Sequence, residues 1–133
     1  WDSSMSGFGK IGDYVFIDIC GTGTALGTTL RTIINPWTRE IIAEIPESFY
    51  MATPVDGFYV ETSMSSKINL KSDSLIEWDI NYRELYENGK TKKNISRQFH
   101  WLKKYNKFHF LNPKELEKQC PLVYSYFEDE LND

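Results

Sequence analysis

The sequence predicts an α+β domain, a mostly antiparallel β-sheet built from hairpins and packed against a C-terminal helix. Three observations carry this. Ile76, Trp78, Ile80 and Tyr82 alternate with Glu77, Asp79, Asn81 and Arg83, the period-two pattern of a half-buried strand. Asn88-Gly89 follows with hairpin-turn chemistry, and the run NISRQFHWL returns with Ile95, Phe99 and Trp101 on one face. Asn112-Pro113 then opens the segment KELEKQCPLVYSYFEDEL, with Asn suited to the N-cap and Pro to the first helical turn. Strands first and a helix last is the α+β order.

Residues 1–133 make one domain, because a chain this short holds a single core. Residues 1–12, rich in Gly and Ser, read as a loop-like N-terminal segment. Residues 13–111 read as mainly β. DYVFIDIC is an apolar run of β-formers and makes the first strand. Gly21, Gly23 and Gly27 then interrupt regular structure, and residues 25–34 admit two readings. As a strand they form a hairpin with REIIAEI through Asn35-Pro36-Trp37-Thr38; as a helix they give strand, glycine loop, helix, strand. β-branched Thr28, Thr29, Thr32, Ile33 and Ile34 favour the strand. A strand at 58–62, the hairpin around Asn88-Gly89 and a short strand KFHFL complete the sheet. The C-terminal helix spans 112–131, with Pro121 set to kink or split it.

Composition narrows the functional classes. With 41% hydrophobic and 15% aromatic residues the chain is globular, and no run approaches the ~20 apolar residues of a membrane-spanning helix. The start WDSSMSGFGK has neither the charged nor the apolar region of a signal peptide, so a soluble, cytoplasmic protein is expected, with Trp1 in place of Met pointing to a processed or excised chain. Cys20 and Cys120 are no disulfide framework, and two buried thiols in a reducing compartment are expected. The net charge of -4 is wrong for a general polyanion binder. Charge is also segregated: residues 1–66 hold eight acids and only Lys10, Arg31 and Arg39 as bases, whereas residues 88–107 hold seven bases and no acid.

Four groups of residues could carry chemistry. The apolar strand ending at Asp18 runs into Gly21-Thr22-Gly23-Thr24, where backbone without side chains can approach a ligand phosphate or ribose. This stretch resembles the first motif of class I S-adenosylmethionine-dependent methyltransferases, in which an acid and a glycine-rich turn follow the first strand. The resemblance implies a nucleotide or S-adenosylmethionine site at Asp18, Gly21 and Gly23, with Glu44 as the acid that binds the ribose. In the second group, KTKKNISRQFHWLKKYNKFHF interleaves bases with rings, the composition of a single-stranded nucleic-acid platform, with Lys90, Lys92, Lys93, Lys103 and Lys104 as contacts. Phe99 and Trp101 cannot stack on bases if they line the core. Cys20 with His100 or His109 has the composition of a nucleophile pair, though two His and two Cys without close spacing make no zinc site. Glu77 and Asp79 share one side of a strand, the side expected to face solvent. Asn94-Ile95-Ser96 matches an N-glycosylation acceptor.

The leading expectation is a binding module without a cofactor or metal. Its acidic first half and its aromatics at loops suit a basic macromolecular partner, as an inhibitor or immunity protein of a toxic nuclease would require. The residues expected at that surface are Trp37, Glu40, Glu44, Glu47, Tyr50, Asp56, Phe58 and Glu61. An enzyme-class reading, the S-adenosylmethionine or nucleotide site, and nucleic-acid binding through the basic segment are the alternatives.

Overall fold

A computed structural model describes residues 2–23 and 25–132, with backbone alone for residues 2–4 and 6. Trp1, Asp133 and Thr24 of the glycine-rich stretch lie outside the described residues. Eight strands follow one another in a single antiparallel sheet whose spatial order is the chain order. They are β1 (Asp2–Ile11), β2 (Tyr14–Gly23), β3 (Leu26–Ile34), β4 (Ile41–Val55), β5 (Phe58–Ser72), β6 (Leu75–Tyr86), β7 (Thr91–Lys104) and β8 (Lys107–Phe110). Three short helices close the chain, α1 (Pro113–Gln119), α2 (Pro121–Tyr126) and α3 (Glu128–Leu131).

The expected loop at residues 1–12 is instead mostly strand. Gly9 stands opposite Phe16, and a Cβ there would come within 2.8 Å of the Phe16 ring. The glycine that reads locally as a loop-former therefore makes room for a ring on the neighbouring strand. Residues 25–34 are the strand alternative, and the turn after them is set by Asn35, whose Oδ1 accepts from the backbone N–H of Trp37 at 2.9 Å and of Thr38 at 3.3 Å. This is the Asx-turn chemistry that Asn provides.

Hairpin turns fix the long central strands. Val55 pairs with Phe58 across Asp56-Gly57, whose φ values of 50° and 83° are both positive, as a type I′ turn demands. Gly89 has φ 86° in the β6–β7 turn, where the sequence places it. Two bulges lie in the β3–β4 ladder, at Glu47 and Ile42 of β4, and bulges bend a strand and increase its twist.

The sheet curls until its two halves touch. Trp78 of β6 donates its indole N–H to the Pro46 carbonyl of β4 at 2.9 Å, and Lys103 of β7 donates to the Tyr14 hydroxyl of β2 at 2.9 Å. Phe108 of β8 meets Tyr14 edge-on, and β8 adjoins β4. Enclosed within the curl, Trp78, Phe99, Trp101 and Phe110 form an aromatic cluster with centroids 5.1 to 6.0 Å apart. Edge-to-face and tilted arrangements of this kind add to simple burial.

The C-terminal segment is three helices in place of one. Pro121 has no N–H for a continuing helix and restricts the residue before it, and Cys120 accordingly leaves helical geometry at φ -135°, ψ 67°. The apolar spacing survives the break. Leu116, Cys120, Val123, Phe127 and Leu131 recur every three or four residues, are all buried, and join the core of the sheet. Phe127 lies 6.1 Å from the Phe49 ring of β4, which docks the helical segment on the sheet. Among the described residues no helix is long and apolar enough to cross a membrane.

Candidate functional site

The expected partner-binding residues fall into two groups at opposite ends of β4. Trp37 and Glu40 occupy the β3–β4 turn, with Trp37 75% exposed, and Glu44 and Glu47 follow in the first half of β4. The second group collects at the β4–β5 hairpin. Register explains it: Ala52 stands opposite Glu61 and Tyr50 opposite Ser63, so Tyr50 and Glu61 are diagonal neighbours on one face. Desolvation, followed by the charge and hydrogen bond of Glu61, raises the Tyr50 pKa above its ordinary value.

On the other face of the same hairpin, Val60 stands opposite Tyr86 of β6. Phe58, two residues from Val60, therefore points to the same side as Tyr86. The enclosed core has ended at this level, and the rings are left in solvent: Phe58 is 61% exposed and Tyr86 42%, while Tyr59, on the Glu61 face, is 52% exposed. Phe58, Tyr86, Glu87 and Asn88 surround a recess of about 370 Å³. Two adjacent hairpin tips thus present Phe58 and Tyr86 with Glu87 beside them, Asp56 in the neighbouring turn, Glu61 on the opposite face and exposed Lys90 and Lys92 at the β6–β7 tip. Tyr86 and Tyr59 were absent from the residues expected from sequence; Tyr86 arrives from a separate hairpin, so only the β5–β6 register reveals it.

The cofactor arrangement is not formed. β2, β3 and β4 are consecutive antiparallel strands, and Gly27 lies in a strand where a phosphate-binding helix would have to begin. Gly21 and Gly23 belong to β2 itself. Gly23 pairs with Leu26, whereas Glu44 pairs with Thr32, six residues further along β3, or ~20 Å at strand rise. They do not flank one crevice. Asp18 accepts both Nε and Nη2 of Arg31, at 2.7 and 2.8 Å, and Arg31 also lies 3.9 Å over the Phe16 ring. The hydrogen bond to Asp18 raises the Arg31 pKa. Asp18 is thus part of a cross-strand ion pair.

The basic residues are also spread out. Lys92 and Lys104 lie near opposite ends of β7, ~40 Å apart along an extended strand. Lys93 donates to the Gln119 carbonyl at the end of α1 and sits over the Tyr82 ring. Lys103 is bound to Tyr14. Lys90, Lys92 and Lys104 are exposed, and Phe99 and Trp101 are buried and share no platform with them; Tyr105, 98% exposed, lies between Lys104 and Lys107 at the β7–β8 turn.

Neither cysteine is placed as a nucleophile. The Cys20 sulfur lies 3.2 Å from the Thr29 hydroxyl, and burial pushes the Cys120 thiol up to about 12. Both are free thiols. Glu77 and Asp79 are on the polar face of the sheet, where Asp79 accepts from Gln98 at 2.8 Å. Asn94 is exposed on β7. No family model, curated protein or solved structure matches this chain.

Proposed function

We propose that this protein is a binding module that engages a basic macromolecular partner, in the manner of an inhibitor or immunity protein, through the tips of the β4–β5 and β6–β7 hairpins. The observation that carries the reading is the exposed ring pair Phe58 and Tyr86 around a recess. Rings held by rigid strands contribute contact area at low entropic cost, and aromatic anchors in recesses are the usual centres of binding energy. Charge indicates the partner. Residues 40–66 carry Glu40, Glu44, Glu47, Asp56 and Glu61 and no Lys or Arg, so a basic protein is steered toward the β4–β5 hairpin, with exposed Lys90 and Lys92 of the β6–β7 tip at the edge of that surface.

The test is capture from the source lysate on immobilised protein, in parallel with Phe58→Ser and Tyr86→Ser. A basic protein retained at stoichiometric level by the native chain, with affinity reduced about 30-fold by either substitution, is expected, since an anchor contributes about 2 kcal/mol or more. Retention that neither substitution nor Asp56→Lys with Glu61→Lys alters would refute the assignment.

A further inference from the structure

The face of β5, β6 and β7 that turns away from the core carries a groove that the hairpin tips do not use. Met64 and Ile68 of β5 are buried while Ser65 and Lys67 are exposed, and Ile80 and Tyr82 of β6 are buried likewise. The odd-numbered residues of both strands therefore face outward. Register sets Asp79 beside Lys67 and Gln98, and Arg83 beside Ser63. Two recesses of about 640 and about 300 Å³ lie over this surface and meet at Ser65 and Asn81. From Asp79 to Arg83 the groove follows β6 for ~14 Å at strand rise.

The lining offers hydrogen-bonding groups of both kinds and is balanced in charge. Gln98 donates to Asp79 Oδ1 at 2.8 Å, which leaves Asp79 Oδ2 and the Gln98 amide oxygen as acceptors, with Lys67, Arg83 and the Asn81 amide as donors. Lys67 and Arg83 are offset by Asp79 and by Glu61 on the same face, so neither a polyanion nor a polycation is favoured. The apolar residues bordering the recesses, Met64 and Ile80, are buried on the core side, and an apolar peptide has nothing to pack against. One ring does reach this face. Tyr50 of β4 stands opposite Ser63, is 39% exposed, and is tied by a hydrogen bond to Glu61. A ligand dense in hydroxyls, with apolar C–H faces on its rings, meets each of these demands.

We propose that the outer groove of β5–β7 binds a neutral linear oligosaccharide, its hydroxyls exchanging hydrogen bonds with Asp79, Asn81 and Gln98 and one sugar ring stacking on Tyr50. Lys67 and Arg83 flank the chain and donate to its oxygens. The recesses reach the size of small-molecule pockets, which run from about 300 Å³ upward, and the groove is longer than one sugar ring, so an oligomer binds more tightly than its monomer. Phe58 shares the core-side parity of Met64. The groove is on the opposite face, and its success or failure is separate from the partner-binding proposal.

The side-chain amide signals of Asn81 and Gln98 in an amide correlation spectrum report on the groove directly, each assigned by its loss in Asn81→Ala or Gln98→Ala. Maltopentaose, cellopentaose and chitopentaose are titrated beside glucose and a galacturonate pentamer. Saturable movement by a neutral pentamer is expected, with glucose weaker by about tenfold, as lost contacts along the groove imply, and the carboxylated pentamer weaker than the neutral one. Asn81→Ala, read at Gln98, is expected to weaken binding about fivefold through a lost hydrogen bond, and Tyr50→Leu about fivefold through the lost ring. Asn81 is exposed, so Asn81→Ala leaves Tm unchanged and separates loss of binding from loss of fold. Phe58→Ser leaves the titration unchanged. Amide signals that no neutral pentamer moves overturn the proposal. So does tighter binding of the galacturonate pentamer, or binding indifferent to both Asn81→Ala and Tyr50→Leu.

Discussion

Removing the Phe127 ring tests whether the helical segment is part of the core. Phe127 is 3% exposed and lies edge-on to Phe49 at 6.1 Å and to Tyr126 at 4.9 Å. Phe127→Ala removes the transfer free energy of a buried ring and leaves a cavity between α3 and β4, a loss of about 3–5 kcal/mol. A chain of 133 residues has an unfolding entropy of about 0.28 kcal/mol/K near its midpoint, so Tm falls by about 11–18 °C. Stabilities of single domains are about 5–15 kcal/mol, and the variant is then barely folded at the low end of that range. Urea titration followed by Trp fluorescence suits the measurement, because Trp78 and Trp101 are buried beside the same core. Leu111→Ala, at a side chain 47% exposed, is the control and costs within about 0.5 kcal/mol. Equal losses for Phe127→Ala and Leu111→Ala, at unchanged m-value, would sink the reasoning, since the helices would then contribute nothing to the fold.

Four further outcomes are expected. The Cys120 pKa rises from 9.0 to about 12 in the folded chain, chiefly through burial, so its contribution to stability is full below pH 9 and is lost as pH rises toward 12; Cys120→Ala flattens that alkaline limb in denaturation measured against pH. A thiol reagent modifies Cys20 in the folded protein and Cys120 only after unfolding, and equal rates at both would contradict the burial. Gly12 and Gly57 both have positive φ, but a Cβ at Gly12 would lie 2.3 Å from Leu70 Cδ2 whereas Gly57 faces open space; Gly57→Ala should cost about 1–2 kcal/mol from the backbone alone, and Gly12→Ala measurably more by calorimetry. Asp18→Asn halves the grip on Arg31 in a pair whose side chains are 14% and 19% exposed, for a loss of about 1–3 kcal/mol; no change in stability would remove the ion pair from the account of β2–β3.

The parts of this fold that the sequence announces are those where one face alone is buried. β6 alternates cleanly because Ile76, Trp78, Ile80 and Tyr82 enter the core while Asp79 and Asn81 meet solvent, and burial writes itself into the period. Arg97 breaks the matching pattern in β7 although it stands opposite Ile80, because it remains exposed. β1 is illegible for the opposite reason. Its glycines serve a ring on the next strand, a tertiary demand that overrides local preference. The Asp56-Gly57 turn carries the same chemistry as Asn88-Gly89, yet a strand begun at Phe58 without its partner leaves β4 and β5 each ten residues short of their observed ends. What was missing there was pairing rather than a signal.

The same distinction separates the hairpin tips from the seam where β8 adjoins β4. Tyr50, Asp56, Phe58 and Glu61 stand close in sequence, so a local reading of acids and rings near a turn finds them, and only Tyr86 and Tyr59 are added by the structure. The seam has no such locality. Glu44, Trp101, Lys107 and Glu130 come from β4, β7, β8 and α3, and they converge because bulges curl the sheet and Pro121 divides the C-terminal segment, after which α3 can turn back to β4.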